Sequence, residues 1–206
     1  MKTILERFIV IEGLDGSGTT TQMKAITEAF DKAKVDCHAT FEPTSSALGT
    51  LVRSVLRRQI ITTPLALALL FSADREDHLH NPITGIVGKM EKGVTVISDR
   101  YLFSSLAYQS VECGYEKVSA LNDFPLPKFI VYLDTPVDEC LRRIAQRDNG
   151  RELFEKQEFL LQVRDNYEFI FADLPQEVIL MRIDGTKKVE DITREIVTVL
   201  QNHSLL

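Results

Sequence analysis

The sequence predicts an α/β fold, an open and doubly wound five-stranded parallel sheet with helices on both faces. Its apolar runs are short, rich in Val, Ile and Leu, and without the alternation of half-exposed strands, which is typical of parallel strands covered on both sides. Longer amphipathic segments separate these runs, as expected for repeated strand-helix units. No repeat, low-complexity tract or Gly/Ser-rich linker interrupts the pattern, so we expect one domain over residues 1–206.

The predicted elements alternate in a regular order. Five strands are expected, at Phe8–Ile11, Val35–Phe41, Val94–Ile97, Phe129–Leu133 and Val178–Ile183. Helices are expected at Thr21–Phe30, Thr63–His78, Phe103–Gln109, Val137–Arg147, Lys156–Ala172 and Val189–Asn202. Ligands of such folds bind beyond the carboxyl ends of the strands, and nearly all the unusual residues of this sequence fall at those ends.

Composition and charge narrow the function classes. The 206 residues are 44% apolar and 26% charged, which suits one globular domain with a buried core. A net charge of -6 argues against non-specific electrostatic binding of nucleic acid, although a small phosphate-binding site can still be basic. Three widely spaced cysteines without metal-ligand spacing are interpreted as reduced thiols. With no leader and no apolar run near about 18 residues, we expect a cytoplasmic protein without a membrane contact.

A glycine-rich loop follows the first predicted strand directly. Residues 13–20 read GLDGSGTT, which has the spacing of the phosphate-binding GxxxxGK[ST] loop between a strand and a helix. Glycines let backbone amides converge on an anion, and the following helix points its positive dipole end at the same place. The pattern predicts a P-loop NTPase fold in which ATP phosphates contact Gly13, Leu14, Asp15, Gly16, Ser17, Gly18, Thr19, Thr20 and Thr21. A glycine-rich turn without a ligand is the alternative interpretation of the loop alone.

Position 19 departs from the phosphate-loop pattern. The pattern has a lysine there, whose full positive charge lies against the β- and γ-phosphates during transfer. Thr19 offers a hydroxyl and no charge, while Thr20 keeps the hydroxyl that usually coordinates magnesium. Either another cation reaches the phosphates, or the loop binds them without catalysing fast transfer.

Two further pairs carry charge or aromatic surface. Asp99 and Arg100 follow the third strand, where the carboxylate can hold magnesium and the guanidinium can grip a phosphate; a surface ion pair is the alternative. Phe71 and Arg75 are one helical turn apart, so a ring and a fork of donors face the same way and suit a heterocyclic base. A Phe at this spacing can equally belong to the core. Polar side chains repeat the one-turn spacing further on, at Ser104, Ser105, Tyr108 and Gln109.

Arg143, Arg147 and Arg151 step by four residues, so a helix would align them along one edge. The polar sequence that follows is typical of a lid over phosphates, and a solvated basic face is the alternative. The four histidines show no catalytic arrangement, and His78 and His80 are expected at the surface.

Together these segments resemble the thymidylate kinase family along nearly the whole chain. The similar stretches are residues 11–18 (IEGLDGSG), 42–44 (EPT), 70–75 (LFSADR), 99–109 (DRYLFSSLAYQ), 133–136 (LDTP) and 154–155 (FE). The resemblance implies that ATP and thymidine monophosphate (dTMP) react to ADP and thymidine diphosphate (dTDP) in dTTP biosynthesis, with magnesium. A homodimer is expected on the same ground.

The resemblance also implies residue roles. Phe71 stacks on thymine, Arg75 hydrogen-bonds it, and Arg100 grips the acceptor phosphate. Asp15 holds the sugar 3′-hydroxyl, and Tyr108 lies where a 2′-hydroxyl would clash. The remaining implied contacts are Ser105 and Gln109 at the base and sugar, Tyr167 closing over the acceptor, Glu42 and Arg53 near the phosphates, and Thr20 and Asp99 at magnesium.

The family has two variants that differ in the position of a catalytic arginine. Gly16 follows Asp15 here, so the chain is similar to the variant that carries the arginine in its lid, at about residues 143–155. Arg147 and Arg151, with Arg143 behind them, are then expected to neutralise the transferring phosphoryl group. Phe41 is a second departure, because many relatives have an arginine before Glu-Pro.

Two alternatives stay open at this point. One is a related kinase that acts on another nucleoside monophosphate. The other is a nucleotide-binding pseudo-kinase without transfer chemistry, and Thr19 in place of the loop lysine is the one feature that favours it.

Overall fold

Five parallel strands form one sheet in a computed structural model that describes residues 2–148 and 153–206, with side chains described outside residues 147–156. The strands are β1 (Ile4–Gly13), β2 (Cys37–Phe41), β3 (Thr95–Asp99), β4 (Leu126–Asp134) and β5 (Ile179–Asp184). Their order across the sheet is β2-β3-β1-β4-β5. The predicted five-stranded parallel sheet is confirmed.

The described residues also form ten helices. The longer ones are α1 (Thr19–Ala33), α2 (Ala47–Leu56), α3 (Pro64–His80), α8 (Val137–Asp148), α9 (Leu153–Phe171) and α10 (Val189–Asn202). The shorter ones are α4 (Ile86–Met90), α5 (Leu102–Tyr108), α6 (Ser110–Cys113) and α7 (Tyr115–Ala120). None of the described helices is long and apolar enough to cross a membrane.

Side chains of β1 point alternately into two separate cores. Phe8 and Val10 belong to a core that also contains residues of α5 and α9, whereas Ile9 and Ile11 belong to a core with residues of α1 and α10. All four side chains are fully buried. Helices therefore cover both faces of the sheet, and this is why the strand sequences show apolar runs without alternation.

Helix α2 is an element that the hydrophobic pattern did not predict. The side chain of Ser46 caps it by accepting a hydrogen bond from the Gly49 amide at 3.1 Å. Gly49 lies so close to the Thr44 backbone that a Cβ atom would stand 2.0 Å from the Thr44 carbonyl oxygen. A glycine in the first turn lowers the helical propensity of α2, so the Ser46 cap and tertiary packing stabilise this helix.

The carboxyl ends of the three strands at one side of the sheet converge. Ile11 of β1 and Phe41 of β2 both lie beside Asp99 of β3 in the strand register. The backbone amide of Arg100 donates to the Ile11 carbonyl at 2.9 Å, which continues the pairing beyond the last strand residue. The loops after β1, β2 and β3 therefore leave the sheet side by side and line one cleft.

Candidate active site

A cavity of about 1040 Å³ opens at this edge of the sheet. It runs from the glycine-rich loop to the middle of α3 and the end of α5. The predicted site residues that line it are Asp15, Gly16, Gly18, Thr19, Thr20, Thr21, Glu42, Phe71, Arg75, Asp99, Arg100, Ser105, Tyr108 and Gln109. Residues that lie far apart in sequence are thus brought together as the motifs predicted.

The glycine-rich loop has the backbone that an anion site needs. Gly16 and Gly18 have φ angles of +85° and +106°, in the left-handed region that favours glycine. A Cβ atom at Gly16 would stand 2.6 Å from the Cys140 carbonyl oxygen, so the loop packs tightly on α8. Gly18 is the N-cap of α1 and has no side chain to cover the first amides of that helix. Those amides remain available to a phosphate.

A hydroxyl and a carboxylate meet beside the loop. Thr20 Oγ1 donates to Asp99 Oδ2 at 2.5 Å, while Asp99 Oδ1 is buried and has no hydrogen-bond partner among the described residues. A buried carboxylate oxygen without a partner is costly unless a ligand satisfies it. Hydroxyl and carboxylate oxygens are the ligands that Mg²⁺ takes in phosphate sites, where phosphates and water complete the shell. The two residues predicted as magnesium ligands therefore fit that ion.

Arg143 contacts the loop from outside the large cavity. Arg143 Nη1 donates to the Ser17 carbonyl at 3.0 Å, Nη2 donates to the Gly185 carbonyl at 3.0 Å, and Nε donates to Glu139 at 2.7 Å. The guanidinium lines a second cavity of about 210 Å³, together with Gly18, Thr21, Lys187 and Val189. Arg143 thus braces the loop, and its predicted catalytic role stays a prediction.

The other two lid arginines cannot be located in the same way. Arg147 is near the end of α8, and its side chain lies outside the described part of the chain. Arg151 lies outside the described residues altogether. Thr19, the residue in place of the loop lysine, is 7% exposed and lines the large cavity.

Arg75 is fixed in the cavity wall by an ion pair and several hydrogen bonds. It is 1% exposed, and its Nη2 lies 2.7 Å from Glu42 Oε2. Nε also donates to Glu42, Nη2 donates to Ser105 Oγ, and Nη1 donates to the Asn122 side-chain oxygen. Four of the five guanidinium N–H groups are thus used, and one Nη1 hydrogen remains. Arg75 therefore presents a single fixed donor.

Glu42 forms the base of this cluster. One of its oxygens accepts from Arg75, and the other lies 2.9 Å from His78 Nδ1. His78 is 8% exposed, so the expectation that it lies at the surface is wrong. Phe71, Arg75 and His78 are spaced by four and three residues, so they share one face of α3. Phe71 and Arg75 line the cavity, and His78 supports Glu42 behind them. That spacing was visible in the sequence, whereas Asn122, which follows α7, had no local signal.

Arg100 adopts a left-handed backbone with φ of +72°, which is unusual for a residue with a side chain. Its Nη1 donates to the Gly13 carbonyl and to Ser104 Oγ, both at 2.9 Å, and its Nη2 lies 2.7 Å from Asp15 Oδ1. The Tyr108 ring lies against it, 5.3 Å from the guanidinium carbon. Nε and one Nη2 hydrogen remain for a bidentate contact with a phosphate.

Tyr108 and Asp15 meet at the same point. The hydroxyl of Tyr108 accepts from the Asp15 amide at 2.8 Å, and burial raises the pKa of Tyr108. Gln109, the next residue, has a buried side-chain oxygen without a hydrogen-bond partner among the described residues. A substrate that enters the cavity therefore meets an unsatisfied acceptor beside a neutral hydroxyl.

Tyr167 packs in the core beside the cavity. Its ring is fully buried between Tyr132, Tyr108 and Phe171, and it does not line the large cavity in the described part of the chain. The Tyr167 hydroxyl donates to Glu12 Oε2 at 2.9 Å. The aromatic packing of α9 turns the ring into the core, and the predicted contact of Tyr167 with the acceptor stays a prediction.

Glu12 was not predicted as a site residue. Its carboxylate is fully buried at the end of β1 and accepts from Ser104, Tyr167 and the Tyr101 amide. Burial raises the pKa of Glu12 to about 7, although the positive charge of Arg100 opposes the rise. An acidic residue within an apolar strand was the sequence signal that could have found it.

Comparison with known proteins agrees with this geometry. A family model described as thymidylate kinase matches residues 11–196. A protein of Pyrococcus abyssi (strain GE5 / Orsay) named "Probable thymidylate kinase" is 39% identical over 206 residues, 97% of either chain. A protein of the same name from Methanocaldococcus jannaschii is 37% identical over 198 residues, 95% of this chain and 96% of the relative. A Treponema pallidum (strain Nichols) protein, also with a thymidylate kinase name, is 38% identical over 98% of this chain and 99% of its own.

These relatives are 37–39% identical to this chain, and each match covers nearly its whole length. The matched region includes the glycine-rich loop, the Asp99-Arg100 pair and the Phe71-Arg75 helix face. With the fold, the cavity and the comparisons in agreement, the chain belongs to the thymidylate kinase family.

Proposed function

We propose that this chain transfers the terminal phosphoryl group of ATP to dTMP, which yields ADP and dTDP. The observation that carries the proposal is that one cavity joins an anion-binding loop to a compartment built from Phe71, Arg75 and Arg100. The loop suits a triphosphate, and the compartment suits a base with a carbonyl group and a single phosphate. An acceptor phosphate on Arg100 then lies beside the loop, and the catalysis is largely positioning and charge stabilisation.

The acceptor end has a role for each described side chain. The one remaining N–H of Arg75 donates to a carbonyl of thymine, and Phe71 stacks on the ring. Arg100 holds the phosphate through Nε and Nη2. Asp15 and Tyr108 line the sugar, where the Tyr108 ring leaves little room for a 2′-hydroxyl. Ser105 and Gln109 complete the pocket.

The donor end uses the loop amides, which contact the phosphates through residues 13–21. Thr20 and Asp99 would hold Mg²⁺, which neutralises phosphate charge when bound. Within the described residues no group of three or more His, Cys, Asp or Glu could hold a metal ion, which is compatible with a magnesium site completed by phosphates. An oxygen of the dTMP phosphate attacks the γ-phosphorus, and the bond to the β-phosphate oxygen breaks, with ADP as the leaving group.

The lid at about residues 143–155 supplies part of the charge of the missing loop lysine. Arg147 and Arg151 are the candidates for contact with the transferring phosphoryl group, and Arg143 anchors α8 to the loop. We include the lid in a single domain over residues 1–206.

We further propose a homodimer that acts in the cytoplasm. Exposed apolar side chains on α2 and α3 suit the face of a second copy: Leu51 is 37%, Leu65 43% and Leu69 49% exposed. The three cysteines are free, which suits a reducing compartment.

The deciding measurement is dTDP formation from ATP, dTMP and Mg²⁺, with dCMP and dUMP as competing acceptors. We expect turnover with a preference for dTMP, and its loss in Arg151→Ala. Equal turnover of dCMP would contradict the assignment of Arg75 to the base. ATP and dTMP that bind without any dTDP at high enzyme concentration would make the protein a nucleotide-binding pseudo-kinase, the reading that Thr19 favours.

A further inference from the structure

Glu12 joins three elements that surround the acceptor end of the cavity. Its Oε1 accepts from the Tyr101 amide at 2.9 Å. Its Oε2 accepts from Ser104 Oγ of α5 at 2.6 Å and from Tyr167 Oη of α9 at 2.9 Å. Ser104 Oγ and Tyr167 Oη also lie 3.0 Å apart, so the carboxylate and two hydroxyls form a closed triangle.

This triangle contacts the phosphate-gripping arginine at one atom. Ser104 Oγ, while it donates to Glu12, accepts from Arg100 Nη1 at 2.9 Å. A negative charge on Glu12 orients the Ser104 hydroxyl hydrogen toward the carboxylate and leaves an oxygen lone pair for Arg100. The direction of the Ser104 hydroxyl thus links a buried carboxylate to the guanidinium that faces the cavity.

The same carboxylate holds the helix that follows the lid. Tyr167 lies near the C-terminal end of α9, the helix that begins at Leu153 in the lid region. Its ring packs on Tyr132 and Phe171, and its hydroxyl makes the polar contact with Glu12. The Tyr167 bond therefore fixes α9 relative to the end of β1.

We infer that Glu12 is a positioning residue for the acceptor phosphate, acting through Ser104 on Arg100 and through Tyr167 on α9. The inference rests on the proposed function, because it takes Arg100 as the group that contacts dTMP. Glu12 itself does not touch substrate, since it is fully buried and does not line the cavity.

The ionisation of Glu12 makes the inference testable by pH. The groups that face it are Arg100, which favours the charged form, and the neutral hydroxyls of Ser104 and Tyr167. Tyr108 and Asp15 lie one step further away, on the far side of Arg100. A protonated Glu12 must donate to one of its two hydroxyl partners, which reverses a bond of the triangle. The alignment of Arg100 is therefore expected to weaken as the pH falls through about 7.

The experiment compares wild type with Glu12→Gln by calorimetric binding of dTMP and, separately, of ATP at pH 5.5 and 8.5. At pH 8.5 the variant is expected to bind dTMP about 10-fold more weakly, the factor for one hydrogen bond to a charged group, with ATP affinity unchanged. At pH 5.5 the difference from wild type should largely disappear, because Glu12 is then mostly protonated and, like the Gln of the variant, carries no charge. Comparison at each pH cancels the ionisation of dTMP itself.

Two further variants keep the test decisive if Glu12→Gln folds poorly. Ser104→Ala keeps the carboxylate and removes the link to Arg100, so it should weaken dTMP binding to a similar degree, and the double variant should be no worse than either single one. Tyr167→Phe should show a smaller loss of the same kind. Its matched control is Tyr132→Phe, which removes a hydroxyl from a ring 5.2 Å away that is outside the triangle.

The possible failures are distinguishable. Wild type that does not bind dTMP refutes the proposed function. Wild type that binds dTMP, with Glu12→Gln and Ser104→Ala equal to it at both pH values, refutes only the positioning role. Equal losses for dTMP and ATP would also overturn it, because a purely structural defect would not select the acceptor.

Discussion

The two ends of the cavity are built on different principles. At the acceptor end each arginine is already held by a carboxylate and by neutral partners: Arg75 by Glu42, and Arg100 by Asp15. At the donor end Thr19 replaces a lysine, and Phe41, 43% exposed, stands beside Asp99 in the strand register. The acceptor end is organised before any ligand binds, whereas under the proposed function the donor end depends on charge from Mg²⁺ and the lid.

This difference assigns substrate recognition to the acceptor end and the rate of phosphoryl transfer to the donor end. A preformed acceptor pocket can bind a base and a phosphate without rearranging. The N–H groups of Arg75 and Arg100 have fixed directions, and few of them lack a partner within the protein. A donor end without its own lysine binds phosphates through amides and becomes competent for transfer only when other cations arrive. Changes at the acceptor end should thus alter stability and substrate choice, and changes at the donor end should alter turnover alone.

The largest expected effect comes from breaking the buried pair at the acceptor end. Arg75→Leu leaves Glu42, 6% exposed, without its guanidinium, and such a loss typically costs about 3–5 kcal/mol of unfolding free energy. Urea denaturation would measure it. Glu42→Leu combined with Arg75→Leu should recover part of the loss, since no uncompensated charge then stays buried.

A matched change at the surface serves as the control for this prediction. Arg194 pairs with Asp191 at 3.0 Å, but its side chain is 73% exposed. Arg194→Leu should leave the denaturation midpoint essentially unchanged. If Arg75→Leu were no more destabilising than Arg194→Leu, the acceptor end would not be held by its charges, and the contrast between the two ends would fail.

The next effect tests the donor end. Thr19→Lys is expected to raise kcat by about 10²–10³, the factor that one transition-state donor typically supplies, and to leave the KM for dTMP unchanged. Steady-state dTDP formation gives both constants. Thr198→Lys adds the same charge on the exposed face of α10 and should change neither.

An unchanged kcat in Thr19→Lys would mean that the lid already provides the full charge. In that case Arg151→Ala should lower kcat far more in the native chain than in Thr19→Lys. The two outcomes distinguish a donor end that lacks charge from one that receives it from elsewhere.

The sequence sufficed for the parts of the fold that have local signals. The buried parallel strands, α1 after the glycine-rich loop and the face of α3 with Phe71 and Arg75 were all predictable from spacing. Helix α2 was not, because its glycine contact with Thr44 is tertiary. Short helices such as α4 and α6 have too few residues to show a period.

The second layer of the site was mostly unpredictable for the same reason. Asn122 lies 47 residues from Arg75, and Tyr167 lies 155 residues from Glu12, so nothing in the local pattern connects them. Tyr167 was predicted to close over the acceptor, and in the structure its hydroxyl donates to the buried Glu12 carboxylate. Sequence patterns locate groups that face a ligand, whereas their supports are defined by the packing of distant elements.

The smallest expected effect concerns Glu12. Ionisation of its carboxyl is expected to lower the stability of the fold and to improve the alignment of Arg100. Its pKa rises from 4.5 to about 7 in the folded protein, so the folded state favours the protonated carboxyl. The associated stability is fully present below pH 4.5 and is lost as the pH rises through 7, by up to about 3 kcal/mol. Glu12→Gln cannot ionise and should keep that stability at high pH.

Thermal unfolding of wild type and Glu12→Gln between pH 5.5 and 8.5 measures this. The stability of the variant relative to wild type should be larger at pH 8.5 than at pH 5.5, where the wild type has lost only part of the stability that the protonated carboxyl provides. This increase falls in the same pH range as the loss of dTMP affinity. A variant that is less stable than wild type at pH 8.5 would mean that the hydrogen bonds from Ser104, Tyr167 and the Tyr101 amide outweigh desolvation. A gain in stability with a loss in binding would instead show that the charge on Glu12 is retained at a cost to the fold, because only the charged form holds Arg100 in place.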